Sequence, residues 1–299
     1  MPVPATSENF GDLLSPQFFK IFDNTFNQEE SMLPALYNMQ RSEKSEEKLS
    51  AVGGFPSTPE FTGTINYSGV YQQYDTTLTP TEFADGFQVE RKLYDDDLYS
   101  IMDSKPKGLS LGAFTRREED GASLFTNAFN TSVFTGGDGL SLCNSAHTSN
   151  TTGVSTQSNT GTTALSQTSV EAARIAVGKF KNWEGKIVNI VPDLILVPID
   201  LEQTAWEIIA SKGKVETANN NANFHFGRYK LAVWKYLSST ADWFMLSTNR
   251  MNMDLYWFDR IPLEFNQDVS FNTYIKLWSC YMRYSFGFSD WRWIFGNNA

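Results

Sequence analysis

The stretch from Gly53 to Gly86, GGFPSTPEFTGTINYSGVYQQYDTTLTPTEFADG, constrains the fold more than any other part of the chain. Thr, Ile, Tyr and Val alternate between glycines and prolines, which predicts a long β-hairpin. The segment has aromatic residues but too few aliphatic ones to form a core of its own, and an isolated two-stranded hairpin is marginal in water. It is therefore expected to protrude and to be stabilised by packing on another surface; in a monomer such an arm is a liability.

The rest of the chain must then supply the core. With 299 residues, 41% of them hydrophobic and 14% aromatic, it can build one large domain or two smaller ones. Acidic side chains outnumber basic ones 34 to 24, and the resulting charge of -10 opposes general attraction to a nucleic-acid backbone. The N-terminus, MPVPATSENFGDLL, lacks the basic and apolar regions of a secretory signal, and no apolar run approaches the roughly 18 residues of a membrane span. A soluble protein made in a cytoplasm is expected, with no membrane partner. Cys143 and Cys280 are expected to be reduced, buried thiols.

Along the chain, Leu13, Leu14, Phe18, Phe19, Ile21, Phe22 and Phe26 suit one face of a helix starting near Ser15-Pro16. The following MQRSEKSEEKLS reads as a solvated connector or exposed helix. FQVERKLYDDDLYSIMDSKPKG reads as helical until Pro106 and Gly108 interrupt it. LSLGAFTRREEDGASLFTNAFN reads as a second, long helix lying on a sheet with one wet side. The Ser/Thr/Asn/Gly-rich stretch from Thr148 to Thr163 reads as a flexible loop. A helix capped by Thr168 or Ser169 follows, with Ala172, Ala173, Ala176, Val177 and Phe180 as its apolar stripe. DLILVPID is a buried strand, Asp200 is placed to cap the helix LEQTAWEIIAS, and TANNNANFHFGR is an exposed loop. YKLAVWKYL, DWFMLST, LYWFDRIPLEF and the aromatic last thirty residues read as strands.

Chemical motifs are scarce. GGDGLSLCNSAHTSNTTG, residues 136–153, has an aspartate and no lysine where a phosphate-binding loop needs Lys-Ser/Thr. For a Cys143–His147 dyad nothing nearby in sequence indicates how the histidine would be oriented, and with His225 the chain has two histidines in all, too few to pattern a metal site. Asp95-Asp96-Asp97 and the run Arg116-Arg117-Glu118-Glu119-Asp120 place successive residues in different directions on a helix, so they read as solvated or subunit-facing. No nucleophile elbow or dinucleotide-binding glycine motif follows a strand. No catalytic, cofactor-binding or metal-binding residue is assigned, and no cofactor is expected.

The order of elements is itself informative. An apolar N-terminal arm, a protruding hairpin at 53–86, a long helix ending in EEDGASLFTNAFN, the GGDGLSLCNSAHT turn and the closing FGFSDWRWIFG together resemble the major capsid proteins of tailed bacteriophages, of the Hong Kong-type capsid fold. Within that class the chain most resembles Mu-like prophage head subunits. The resemblance implies an α+β fold divided into an N-terminal arm (1–48), an extended hairpin loop (49–88), a peripheral domain with a spine helix (89–189), an axial domain (190–265) and a peripheral return strand (266–299). It implies a structural, non-catalytic subunit of an icosahedral head, found in the virion and assembled in the bacterial host cytoplasm. The implied partners are other copies as pentamers and hexamers, a scaffolding protein, a portal, decoration proteins, and packaged double-stranded DNA through non-specific contact. Some relatives crosslink through a lysine on the extended loop, but residues 49–91 contain no lysine, so that chemistry is not carried over. The charged run at 41–48 is too short to be a scaffolding segment, which points to separate scaffolding and protease proteins. The aromatic content motivates a rival reading, a carbohydrate-binding or glycan-cleaving phage protein with exposed tryptophans. A cytosolic enzyme would instead need a pocket with perturbed titratable groups.

Overall fold

The computed structural model describes residues 11–52, 58, 60–65, 67, 72–96, 101–151, 154–213 and 222–299. In chain order the elements are α1 (Gly11–Gln28), α2 (Leu33–Leu36), β1 (Asn38–Arg41), β2 (Glu47–Val52), β3 (Gln72–Leu78), β4 (Thr81–Val89), α3 (Arg91–Asp95), α4 (Ser104–Thr126), β5 (Thr160–Gly161), α5 (Gln167–Val177), β6 (Leu194–Val197), α6 (Glu202–Ala210), β7 (Lys230–Val233), β8 (Trp243–Leu246), α7 (Thr248–Asp254), β9 (Leu255–Val269), β10 (Lys276–Phe288) and β11 (Ile294–Asn297). The class is α+β, as expected.

Three sheets organise these elements. The first has the order β1-β9-β10-β4, the second β5-β11-β8-β6-β7, and β2 and β3 form a two-stranded ladder of their own. The long β9–β10 hairpin dominates the first sheet. Pro262, which cannot donate to a ladder, sits where the β9–β10 register shifts, between the pairs Ile261–Arg283 and Glu264–Tyr281. The helices α1 and α4 pack beside this sheet: Phe22 stacks on Phe265 of β9 with ring centroids 4.5 Å apart, and Phe18 meets Trp278 of β10 at 5.4 Å. The second sheet contains the buried run Leu194–Val197, as expected, and the equally buried Trp243–Leu246.

Several sequence expectations change. The hairpin is shifted: its paired strands are Glu47–Val52 and Gln72–Leu78, while residues 81–89 pair antiparallel with β10, Thr81 opposite Tyr284 and Val89 opposite Lys276. Much of the expected hairpin's middle, including 53–57 and 68–71, lies outside the described residues. The charged run MQRSEKSEEKLS is neither connector nor helix, since it supplies β1 and β2, and Lys48 of β2 pairs with Asp75 of β3 at 2.9 Å. Pro106 and Gly108 do not end a helix: Pro106 lies in the first turn of α4, where a missing N–H has no intrahelical partner to lose. The cap of α5 is Ser166, in a reciprocal capping box with Ser169, instead of Thr168 or Ser169 itself. Its buried stripe is Val170, Ala173 and Val177, whereas Ala172 is exposed. Asp200 lies in a 3-10 turn and does not cap α6, whose N-cap is Leu201 without a side-chain bond. The second half of the Thr148–Thr163 loop is held in place, with Asn159 fully buried and β5 paired parallel to β11. Asn223 and His225, placed in an exposed loop, are buried.

Candidate functional site

The loop at residues 136–153 is a clasp. Gly139, at φ +75°, turns the chain so that Gly136 N–H reaches the Leu140 carbonyl at 2.8 Å. Asp138 is thereby brought to His147, Oδ2 to Nδ1 2.6 Å, while the other ring nitrogen faces Asn159 Oδ1 at 3.2 Å. The imidazole stacks on Trp291, centroids 4.3 Å apart and 12° from parallel. Asn159 extends the network, accepting from Asn144 N–H and donating to the Leu142 and Ile294 carbonyls. Both imidazole nitrogens are thus engaged, and Cys143 packs elsewhere: a Cβ at Gly296 of β11 would lie 2.6 Å from its sulfur. Burial pushes the Cys143 thiol far up, so it does not ionise readily. Cys143 and Cys280 are both free and buried, as expected.

The run Arg116–Asp120 of α4 is the mechanical centre of the fold. It is not uniformly solvated, as the sequence had suggested: Arg117 and Glu118 are buried, whereas Arg116 and Glu119 are exposed. Arg117 donates to Asp259 of β9 at 3.1 Å and lies over the rings of Trp257 and Tyr284. Glu118 accepts from Ser31 Oγ at 2.5 Å, Met32 N–H at 3.4 Å and Trp234 Nε1 at 2.8 Å. Asp120 pairs with Arg116 and accepts the Tyr284 hydroxyl at 2.7 Å. Tyr37 donates to the Gly121 carbonyl at 2.8 Å, and its hydroxyl is pushed up by burial and then by Glu118 and Asp120. One helix therefore clamps the first sheet, the segment before α2 and the end of β7. The apolar spacing of α4, Ala113, Phe114, Gly121, Ala122 and Phe125, runs through positions 117 and 118, a signal that could have placed both inside. Of the acidic triplet, Asp96 is exposed and Asp97 lies outside the described residues.

A cavity of about 700 Å³ opens under the root of the hairpin, between Leu49–Ala51 and Trp183, Asp254, Asp290 and Arg292. Burial, and then repulsion from Asp290, raises the Asp254 carboxyl to about 6, although Ser289 Oγ donates to it at 2.9 Å. Arg292 forks onto Asp290 at 2.7 and 2.8 Å, donates to the Lys181 carbonyl, and covers Trp183 at 3.9 Å. These groups hold one another in place. Among the described residues no group of three or more His, Cys, Asp or Glu is placed to hold a metal ion, and no helix is long and apolar enough to cross a membrane.

Large apolar side chains stand exposed among the described residues. At the hairpin end Phe61 is 71% and Tyr67 88% exposed, and at the β9–β10 turn Phe271 is 89% exposed beside Tyr274. By contrast seven of the eight tryptophans are buried, which assigns the aromatic content to the core instead of to a sugar platform.

A family model described as phage capsid protein matches residues 73–297. The chain belongs to the phage capsid protein family. Among solved structures, it is similar to a chain of the procapsid of bacteriophage JBD30 at 14% identity and a TM-score of 0.56, covering 97% of this chain and 75% of that one. It is similar to a chain of the capsid of Ralstonia phage GP4 at 10% identity and 0.58, covering 88% and 86%. A virus-like particle from Pyrococcus furiosus gives 9% identity and 0.54, covering 93% and 96%. No curated protein matches. The capsid protein has the Hong Kong-type fold, and its role is that of a structural major capsid protein of the virion.

Proposed function

We propose that many copies of this capsid protein, as pentamers and hexamers, close into the icosahedral head of a tailed bacteriophage that encloses double-stranded DNA. The observation that carries this is the hairpin end, where Phe61 and Tyr67 stand in solvent in a single chain, as apolar surface does when its partner lies on another molecule. The acidic balance, -10, suits a container wall that must not hold DNA tightly. The subunit acts without catalysis: among the groups with shifted titration, Asp254 and Tyr284 are held by Ser289 and Asp120 in structural contacts. Assembly takes place in the host cytoplasm with a scaffolding protein, a portal and decoration proteins.

The proposed division is arm (1–48), extended loop (49–88), peripheral domain (89–189 and 266–299) and axial domain (190–265), with two refinements. β9 runs unbroken from Leu255 to Val269 against β10, which favours ending the axial domain at 254. Likewise β11 joins the second sheet, the one that contains β6, β7 and β8. The reading is tested by deleting residues 58–70 and following fold and assembly. The variant is expected to keep its circular dichroism spectrum and melting transition but to form no closed particles; closed particles from the deleted chain would refute the role given to the loop.

A further inference from the structure

The unit built on the second sheet exposes two unlike patches. On and before α6, Ile199 and Trp206 are 54% and 62% exposed, and Asp200 and Glu202 stand beside them in solvent. The segment 199–210 contains three carboxylates and no lysine or arginine. Ala205 and Ile208 face the core, so Trp206 is not held by its own fold. The other patch lies on the loop after residue 221, against α5. Phe224 is 53% exposed, with Arg228 stacked over its ring at 4.0 Å and Arg174 at 5.3 Å. Arg174 is neutralised by Glu171 in a bidentate pair at 2.7 and 2.9 Å. Arg228 makes no close ion pair with a carboxylate among the described residues, although the Glu171 carboxylate feels its charge.

We propose that these patches are the two halves of one contact between successive copies of the chain, the Trp206 patch of one copy seated on the Arg228 patch of the next. The inference rests on the capsid reading and names where the copies meet. Three physical arguments lead to a second copy in this arrangement. Tryptophan, arginine and phenylalanine are the side chains that concentrate binding energy at interface centres, and both patches present them. Arg228, held flat on Phe224, is already ordered and loses little freedom when a carboxylate or an indole face reaches it. The patches are opposite in charge, so like meeting like is repelled while unlike is attracted, and the pentamers and hexamers of the capsid reading select the head-to-tail form of that pairing over a two-fold one. A head-to-tail contact repeats, and it closes into a ring where the rotation between copies allows.

The test uses the full chain, with the sedimentation of purified protein followed at about 50 mM and about 500 mM NaCl, concentrations that change screening strongly. Arg228→Glu alone, and Asp200→Lys with Glu202→Lys, should each weaken subunit association about tenfold at the lower salt, and less at the higher. Combining all three substitutions restores opposite charges and should recover wild-type association to within about threefold. Trp206→Ala should weaken association at both salts, and all variants should keep the wild-type circular dichroism. Wild-type rings that Arg228→Glu leaves unchanged, or a triple variant no better than either reversal, overturn this contact and leave the capsid reading standing. A wild-type chain that stays monomeric even with its scaffolding partner overturns the capsid reading and the contact together.

Discussion

Glu118 offers the sharpest test of how the fold is held. Its carboxylate accepts hydrogen bonds from Ser31, Met32 and Trp234, two parts of the chain that no strand connects to α4. Bonds to a charged acceptor contribute about 1.5–3 kcal/mol each, and the two shorter ones, to Ser31 and Trp234, carry most of that. Glu118→Ala also leaves the buried Trp234 N–H without an acceptor, while relief of the carboxylate's desolvation offsets part of the loss. The net destabilisation expected is about 3 kcal/mol, roughly 6 °C in melting temperature for a chain of this size. Glu118→Gln keeps one acceptor oxygen and should lose about half as much. Urea unfolding followed by tryptophan fluorescence measures both. A cycle with Trp234→Phe, which removes only the indole donor, should show a coupling of about 1–2 kcal/mol. An alanine variant within about 0.5 kcal/mol of wild type, or a cycle in which the two changes simply add, would refute the assignment of Glu118 as the point where these segments are joined.

Three further outcomes follow from the same geometry. Gly121→Ala places a methyl group 2.2 Å from Leu33 Cδ2 and 3.2 Å from Trp234, and should destabilise by about 2 kcal/mol, partly recovered by Leu33→Ala; a neutral single variant contradicts the close packing of α4. Asp254 titrates at about 6 when folded against 3.8 unfolded, so the folded state holds the extra proton between those values. The contribution of Asp254 to stability is greatest below about pH 4, falls as pH rises to about 6, and is then lower by about 3 kcal/mol, so Asp254→Asn should be the more stable protein at pH 7 and lose the advantage at pH 4. Cys143 and Cys280 are buried with thiols pushed up, and neither should react with a maleimide until the protein unfolds; rapid labelling of Cys143 in the folded subunit would show an opening beside β11, and of Cys280 an opening of β10.

What the sequence made legible follows from burial. Leu194–Val197, the aromatic strands after residue 254 and the long α4 have patterns set by the core they face, and all three were placed. The β2–β3 ladder was displaced because its strands have little core to face: its residues are largely polar and half-buried, and cross-strand pairs such as Lys48–Asp75 replace an apolar stripe. Residues 81–89 read as the second arm of that hairpin because strand propensity is local, whereas their pairing with β10 depends on residues almost two hundred positions away. Buried charge misled in the same way. Arg117 and Glu118 look solvated until Asp259 and Trp234 supply partners that no local pattern announces. The Asp138–His147–Asn159 clasp needed the turn at Gly139 and a stack on Trp291, so reading the loop for catalytic motifs could not reveal it.

The central claim is that the hairpin and its exposed aromatics find their partner on another copy of the chain in a closed shell. Electron cryomicroscopy of particles formed by the chain, alone or with the scaffolding protein proposed for it, tests this most directly. The account predicts hollow icosahedral shells of pentamers and hexamers in which Phe61 and Tyr67 are buried against a neighbouring subunit. A monodisperse monomer under every assembly condition, or shells in which the hairpin end lies in solvent and away from every neighbour, would contradict it.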